Sequence, residues 1–519
     1  MLALTFIASP FSAFAATSSS GLEVSGWIPY WRTTAGTADA QAHLSQFSEV
    51  NPFGYTVRSD GSLNDAMGLD QTAWSSLIKA AHKDKVRVVP TVMWSDTNSI
   101  DAILSNPQSR AQHIQNIVRA VNQNGFDGID IDYEAKKAST RDAFSAFLGE
   151  LQTALSSGKT DKWLECTVEA RMPLSARYSG TPPANIEYAN DLPKVNQYCD
   201  RVRVMTYDQQ TADIQLNREH AKDLYAPVAD VAWVEKVLDY MSSDIKKSKM
   251  VMGIATYGAI YQAMPNVDGS GYSYTKLQSF NPKYGSDVAT EYGLTPVRGV
   301  SGELTLSYVP KDTPDSLPSQ KDLEARAPKS TASGLLAAVG ALTLAKQQHQ
   351  QAPVTFLTWS DASAIEQKVK LAERMGIAGI AIFKIDGGED AKMWDVLPSS
   401  APKLTLPPTG TVGTTDSGST ATTTPPATPT TPKPTTGGTG SSTSPAAYKF
   451  TTDLFPGMSS TAVMNLQKIL VKKGYLKAAP TGYFGLQTQA AMRLWQRDNG
   501  ISATGNLGPL SRAKMNVSQ

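Results

Sequence analysis

The sequence predicts an α/β protein: a (β/α)8 barrel with an insertion subdomain after strand seven, followed by a small C-terminal three-helix domain. Three observations carry this reading. Eight short β-branched runs alternate with stretches that hold apolar residues at helical spacing. The gap before the eighth run is far longer than one helix. A Thr/Pro/Gly/Ser tract then cuts the chain before a last short module.

The bulk numbers agree. At roughly 100–200 residues per domain, 519 residues exceed one ordinary domain. A hydrophobic fraction of 41% against 18% charged allows a sizeable core. With 48 Lys+Arg against 47 Asp+Glu, the net charge of +1 supplies no field for nucleic acid or an acidic membrane. Two cysteines exclude a disulfide-framework protein. The histidines (His43, His82, His113, His220 and His349) are scattered, with no HExxH or Cys–His spacing, so no zinc site is expected.

In chain order, Met1–Ala16 is apolar and uncharged, and Ala13-Phe14-Ala15 fits a signal-peptide cleavage site; residues 1–15 are expected to be removed on export. The usual basic start is missing, which leaves an uncleaved anchor as the alternative, but a span needs about 20 apolar residues. No later run is long enough to span; Leu335–Leu344 reads as a buried helix. The barrel is placed at 21–401. Its strands are expected at Val24–Tyr30, Glu49–Tyr55, Val86–Trp94, Gly128–Glu134, Leu164–Met172, Val202–Asp208, Met250–Tyr257 and Ile377–Ile385. Helical spacing marks Thr72–His82, Ser109–Asn124, Thr140–Ser156 and Ala232–Ser243. Residues of about 260–357 form the insertion, with hairpin-like stretches at Gly269–Tyr274 and Gly302–Val309. A linker is expected at 402–447. Within it, Pro407–Pro445 holds 15 Thr, 8 Pro, 6 Gly and 5 Ser and no aromatic residue, so it cannot bury enough surface to offset its ordering entropy. The last module is placed at 448–517. There Val463, Leu466 and Leu470, then Ala491, Leu494 and Trp495, fall at helical spacing, with turns at Pro480–Gly485 and Ile501–Gly505.

The fourth strand carries the chemistry. Phe126–Glu134 reads FDGIDIDYE. Side chains alternate along a strand, so Asp130, Asp132 and Glu134 share one face and Ile129, Ile131 and Tyr133 the other. Three acids then point into a barrel interior. Burial and crowding raise the pKa of at least one, as a general acid working near neutral pH requires. Glu134 falls at the C-terminal end of the strand, where barrel active sites sit.

The pattern D-x-x-D-x-D-x-E at Asp127, Asp130, Asp132 and Glu134 resembles the signature of the family 18 glycoside hydrolases. Met205-Thr206-Tyr207-Asp208, Gly253–Gly258 (GIATYG) and Gly26–Trp31 (GWIPYW) resemble further motifs of that family. The resemblance implies a retaining reaction in which the substrate's own 2-acetamido oxygen attacks the anomeric carbon, with no metal or organic cofactor needed. It implies that Glu134 is the acid/base, that Asp132 orients the acetamido group, and that Asp130 holds or shares the proton of Asp132. It further implies that Tyr207 donates to the acetamido carbonyl, that Asp208 and Met205 shape the −1 site, and that Asp127 supports the strand beside the substrate-binding set. At the eighth strand Phe383 stands where most members have Trp, and it is expected to floor the −1 sugar over a smaller area. Trp27, Tyr30, Trp31, Trp94, Tyr257 and Trp359 are further sugar-platform candidates, with barrel or rim packing as the alternative for each.

Cys166 and Cys199 lie near neighbouring strands; a disulfide and two buried thiols both fit. The last module, with Leu466-Gln467, Gly474-Tyr475-Leu476 and Gly482–Thr488, resembles a peptidoglycan-binding domain; Tyr483, Phe484, Gln487 and Arg512 are its candidate glycan contacts. The expected partner is an N-acetylglucosamine-containing polysaccharide, peptidoglycan or chitin, with no nucleic acid and no membrane after signal cleavage. The protein is expected to be a secreted, wall-associated monomer. A non-catalytic glycan-binding barrel is the alternative of another class; lectin-like relatives usually lose the terminal acid, and Glu134 is intact.

Overall fold

The computed structural model describes residues 21–158, 162–311, 313–403, 448–451, 453–456, 458, 460–501 and 505–517. The expected signal segment and most of the expected linker lie outside the described residues.

Eight parallel strands close into a barrel: β1 (Glu23–Pro29), β2 (Glu49–Val57), β3 (Arg87–Val88 and Thr91–Trp94), β4 (Gly128–Tyr133), β5 (Trp163–Glu169), β6 (Arg201–Met205), β7 (Met250–Ala255) and β8 (Gly379–Phe383). Closure is made by β1, which pairs with β2 (Ser25↔Glu49) and with β8 (Glu23↔Gly379). All eight predicted strands are present. The third breaks at Val89–Pro90, since proline has no N–H for the ladder. The sixth ends at Met205, three residues early. Helices cover the outside, and local chemistry starts them. Asn106 caps Pro107–Gln123, Asp230 caps Val231–Met241, and Asp361 caps Ala362–Met375, each side chain accepting from a first-turn N–H.

The outward residues of β4 behave as read. Ile129, Ile131 and Tyr133 are buried, and Tyr133 stacks on Phe147 of the helix Arg141–Ser156. The interior departs from an apolar barrel. At the N-terminal end of the strands, Glu49, Arg87, Glu165 and Arg203 are buried together. Arg87 pairs with Glu49 at 2.5 Å and Glu165 at 3.4 Å, and Arg203 pairs with both acids. Burial, then the Glu165 charge, pushes Glu49 up to about 8, against the pull of the two guanidinium groups.

After β7 the chain leaves for a five-stranded antiparallel sheet ordered Tyr272–Phe280, Gly258–Pro265, Val354–Trp359, Leu304–Tyr308, Val297–Arg298. The helix Leu336–Gln348 packs on it through Ala337, Ala341 and Leu344. Glu303 ties this sheet to the barrel, accepting from Val228 N (2.9 Å), Ala229 N (2.8 Å) and Thr358 Oγ1 (2.9 Å). Cys166 of β5 and Cys199, just before β6, form a disulfide, the first of the two alternatives. The barrel unit runs past its expected end: Ala401 N bonds Ser45 O, and Lys403, expected in the linker, donates to Phe47 O at 2.8 Å.

The C-terminal unit has three helices, Thr461–Lys472, Leu486–Asp498 and Pro509–Val517, around Leu466, Leu470, Phe484, Trp495 and Leu507. Two buried glutamines do the same work. Gln467 accepts from Thr481 N and Gly482 N and donates to Tyr483 O and Thr488 Oγ1. Gln496 accepts from Gly505 N and donates to Asn506 O and Ser511 Oγ. Each thereby fixes the glycine that leads into the next helix, Gly482 and Gly505, which take φ of 79° and 82°.

Candidate active site

Asp130 is fully buried and fully engaged. Its Oδ2 accepts from Thr91 Oγ1 (2.7 Å) and Trp27 Nε1 (3.1 Å), and its Oδ1 from Thr167 Oγ1 (2.8 Å). Its neighbour on the same face, Asp132, is also buried, yet its Oδ1 has no hydrogen-bond partner. An unsatisfied buried carboxyl oxygen costs free energy until something donates to it. Burial, then the charges of Glu134 and Asp130, drives the Asp132 pKa well above the usual carboxylate value. Glu134 stands one residue beyond the strand and is half-exposed, with its N–H on Trp94 O at 2.8 Å. Ala135 then turns the chain at φ 53°. Burial, Glu169 and Asp208 raise Glu134, and Lys136 opposes them.

Tyr207 closes this side. A Cβ on Gly253 would lie 2.7 Å from the Tyr207 ring, so the glycine of β7 makes room for it. Its ring stacks on Phe383 at 5.3 Å and 16°. Around Phe383 stand Trp27 (5.7 Å), Tyr257 (6.1 Å) and Phe53 (6.3 Å). Trp31 meets Phe53 at 5.8 Å and is 44% exposed, which extends the aromatic face outward. Asp208, at φ 55°, is exposed, is paired with Lys276 at 3.1 Å, and hydrogen-bonds the Tyr257 side chain. Glu134, Tyr207, Asp208 and Met205 line one side of a cleft of about 770 Å³ whose other wall carries Lys136, Glu169, Arg171 and Tyr188.

Several expected placements need correction. Asp127 lies at the opposite end of β4 from Glu134, accepting from Val88 N (2.9 Å) and facing His82 (3.0 Å). Seven residues of strand separate it from the acid by roughly 23 Å, so it supports the strand and is no substrate contact. Trp94 packs on His113 and Tyr133, in the layer between barrel and helices, and Trp359 packs on Phe280 in the inserted sheet. Trp27 is 1% exposed and holds Asp130, which leaves it no face for a sugar. Tyr30 is half-buried, its ring edge-on to Trp31 at 5.0 Å. In the C-terminal unit Phe484 is core, while Arg512 is engaged with Asp453 (2.6 Å) and Thr451 O. Tyr483 is half-buried and Gln487 exposed. The sequence reading missed Thr91, Thr167, Lys136 and Glu169. The alternation that found the acids of β4 also puts Glu165, Thr167 and Glu169 on one face of β5, so that signal was present.

The model of the "Glycosyl hydrolases family 18" matches residues 27–388. The chain belongs to glycosyl hydrolase family 18. A peptidoglycan-binding domain model matches residues 459–515. A glycosylase of Bacillus subtilis, YvbX, is 23% identical over 58% of this chain and 69% of its own length. Chitinase B of Serratia marcescens is 23% identical over 50% of this chain and 58% of its own length. Among solved structures, the spore cortex-lytic enzyme SleL of Bacillus megaterium superposes with a TM-score of 0.54 at 17% identity, covering 75% of this chain and 76% of that one. A chitinase of Chromobacterium violaceum gives 0.52 at 20%, covering 73% and 98%. As a family 18 member the protein is a glycoside hydrolase, and it carries a second, peptidoglycan-binding type of domain.

Proposed function

We propose that the protein is an exported, retaining hydrolase that cuts β-1,4 bonds at N-acetylglucosamine in bacterial peptidoglycan, using the substrate's own acetamido group. The observation that supports the chemistry most is the partnerless Oδ1 of buried Asp132 beside the Tyr207 ring. A sugar resting on Phe383 brings its acetamido N–H to that oxygen and its carbonyl to the Tyr207 hydroxyl. Glu134, its proton held by a raised pKa, protonates the glycosidic oxygen as the acetamido oxygen closes on the anomeric carbon. Positive charge then develops on the oxazolinium ring, whose N–H the otherwise partnerless Asp132 Oδ1 accepts. Asp130, pinned by three donors, fixes the position of β4 under that charge. Water activated by Glu134, now a base, opens the ring with retention. Metal ions and cofactors have no part in this scheme.

The substrate assignment rests on the attached domain, whose tether would hold the barrel at the wall after export. Chitin is the second reading: the aromatic face from Phe383 through Phe53 to Trp31 suits a neutral N-acetylglucosamine chain. The test is release of reducing ends from purified peptidoglycan and from chitin at equal sugar concentration. Faster release from peptidoglycan is expected. Release from chitin alone would replace this reading by the second, and release from neither would turn the barrel into a glycan-binding module.

A further inference from the structure

A second pocket opens where the inserted sheet meets the segment that follows β6. It holds about 310 Å³, at the low end of the roughly 300–1,000 Å³ of ligand pockets. On one side stands the strand Tyr272–Phe280, on the other the short helix Ile214–Glu219 and the turn after it. Gly271 lets the two approach: a Cβ there would lie 2.3 Å from Ala221 O. Thr211 lines both this pocket and the cleft beside Glu134, so the two meet at that residue.

The lining selects a ligand by its chemistry. Tyr225, Tyr272 and Tyr274 contribute rings and not hydroxyls. Tyr272 Oη donates to Ala338 O at 3.0 Å, Tyr274 Oη to Asp223 O at 3.2 Å, and Tyr225 Oη to Asp230 Oδ2 at 2.8 Å. His220 lies against the Tyr225 ring at 4.8 Å, with its Nδ1 3.4 Å from Asp223. Asn217 offers an acceptor. Its Nδ2 donates to Thr211 O at 2.7 Å, while its buried Oδ1 has no hydrogen-bond partner among the described residues. No carboxylate, ammonium or guanidinium lines the pocket, in contrast to the neighbouring cleft. An anion or a cation would therefore lose hydration there without meeting a counter-charge. A wholly apolar ligand would leave the Asn217 oxygen unanswered, at the full cost of a buried acceptor. What fits is a neutral group with an apolar face for the rings and an N–H or O–H for Asn217, and a hexosamine has both. We infer that this pocket is a subsite for a neutral hexosamine residue of the same glycan chain that is cut in the adjoining cleft, with Asn217 accepting its N–H or O–H. The inference rests on the reading that the barrel acts on an N-acetylglucosamine-containing chain, and it holds for peptidoglycan and chitin alike.

The test reads binding, so that it stands apart from turnover. Full-length Glu134→Gln is titrated with chitotriose and with chitohexaose by calorimetry. Chitohexaose is expected to bind at least about 10-fold more tightly, because it reaches the cleft and the pocket together. Added to the same protein, Asn217→Leu and Tyr272→Ala are each expected to weaken chitohexaose by about 5- to 10-fold, the scale of one hydrogen bond or one ring contact, and to leave chitotriose unchanged. Tyr272→Phe keeps the ring and is expected to leave both affinities unchanged. An unchanged chitohexaose affinity in Asn217→Leu and Tyr272→Ala, an equal loss for the two oligosaccharides, or binding of neither overturns the inference. If Tyr272→Ala does not fold, Asn217→Leu and Tyr272→Phe decide. The hydrolase reading fails separately: a wild type that releases no reducing ends from peptidoglycan or chitin, with the Asn217→Leu effect present, loses the catalysis and keeps the subsite.

Discussion

Glu134 and Asp132 differ by two positions and by the company they keep. The first has solvent on one side, the second none. Glu134→Gln is expected to lower kcat by at least ~10²-fold while leaving the thermal transition in place, because positioned proton transfer typically contributes that much; the check is kcat beside a melting curve. The pH profile carries a sign. The proton on Glu134 is held up by burial, Glu169 and Asp208 and pulled down by Lys136. Removing a negative neighbour lowers that pKa. Glu169→Gln should therefore move the alkaline limb of kcat/KM to lower pH, and Lys136→Met should move it to higher pH. Limbs that stay put in both variants would show that another group sets the profile. At Phe383 the ring is hemmed in by Trp27, Phe53, Tyr207 and Tyr257. Phe383→Trp gains stacking area but has to push at least one of them, at a typical overpacking cost of ~1–3 kcal/mol. Tighter oligosaccharide binding together with a lower melting temperature is the expected pair of results.

Among elements, the strands were legible wherever their chemistry was local. Alternation over Gly128–Glu134 told which side chains face inward, and the structure keeps that division. What the sequence could not supply was register. Thr91 of β3 stands opposite Asp130 in the ladder, and Thr167 of β5 reaches its other oxygen, but nothing in either strand alone announces that meeting. The same blindness hid the ring of Glu49, Arg87, Glu165 and Arg203, which come from four strands. Trp94 was misjudged for a related reason: a tryptophan at a strand end reads alike whether it turns to the mouth or to the helices. The charged ring makes an element-scale prediction. Arg203→Met leaves two buried carboxylates with one guanidinium between them, and removing one partner of a buried ionic set typically costs ~3–5 kcal/mol. A denaturant midpoint shifted by less than the equivalent of ~1 kcal/mol would show that the ring holds little of the barrel together.

For the whole molecule, Lys403 is the last described residue of the barrel unit, and its amine bonds the carbonyls of Leu44 and Phe47. A truncation meant to isolate the barrel should end after Lys403 and not after Ser400, which would strip Ala401 and those bonds. The longer fragment is expected to keep the melting temperature of the barrel and its turnover of short soluble oligosaccharides, while digesting insoluble wall more slowly, because a tethered binding unit raises local concentration. Equal rates on insoluble wall with and without the C-terminal unit would remove the tether from the functional account.

The Cys166–Cys199 bond spans a sequence separation of 33 residues, and the stretch it brackets contains the exposed run 183–185 together with Arg171, Tyr188 and Asn190. It acts as a hoop around the wall of the cleft that carries Arg171, Tyr188 and Asn190. A protease that nicks the loop there leaves two pieces still fastened across β5 and β6, so the protein would run as one band without reductant and as two with it. Such a nicked enzyme would keep its acids of β4 and its aromatic floor, since none of them lies in the bracketed stretch.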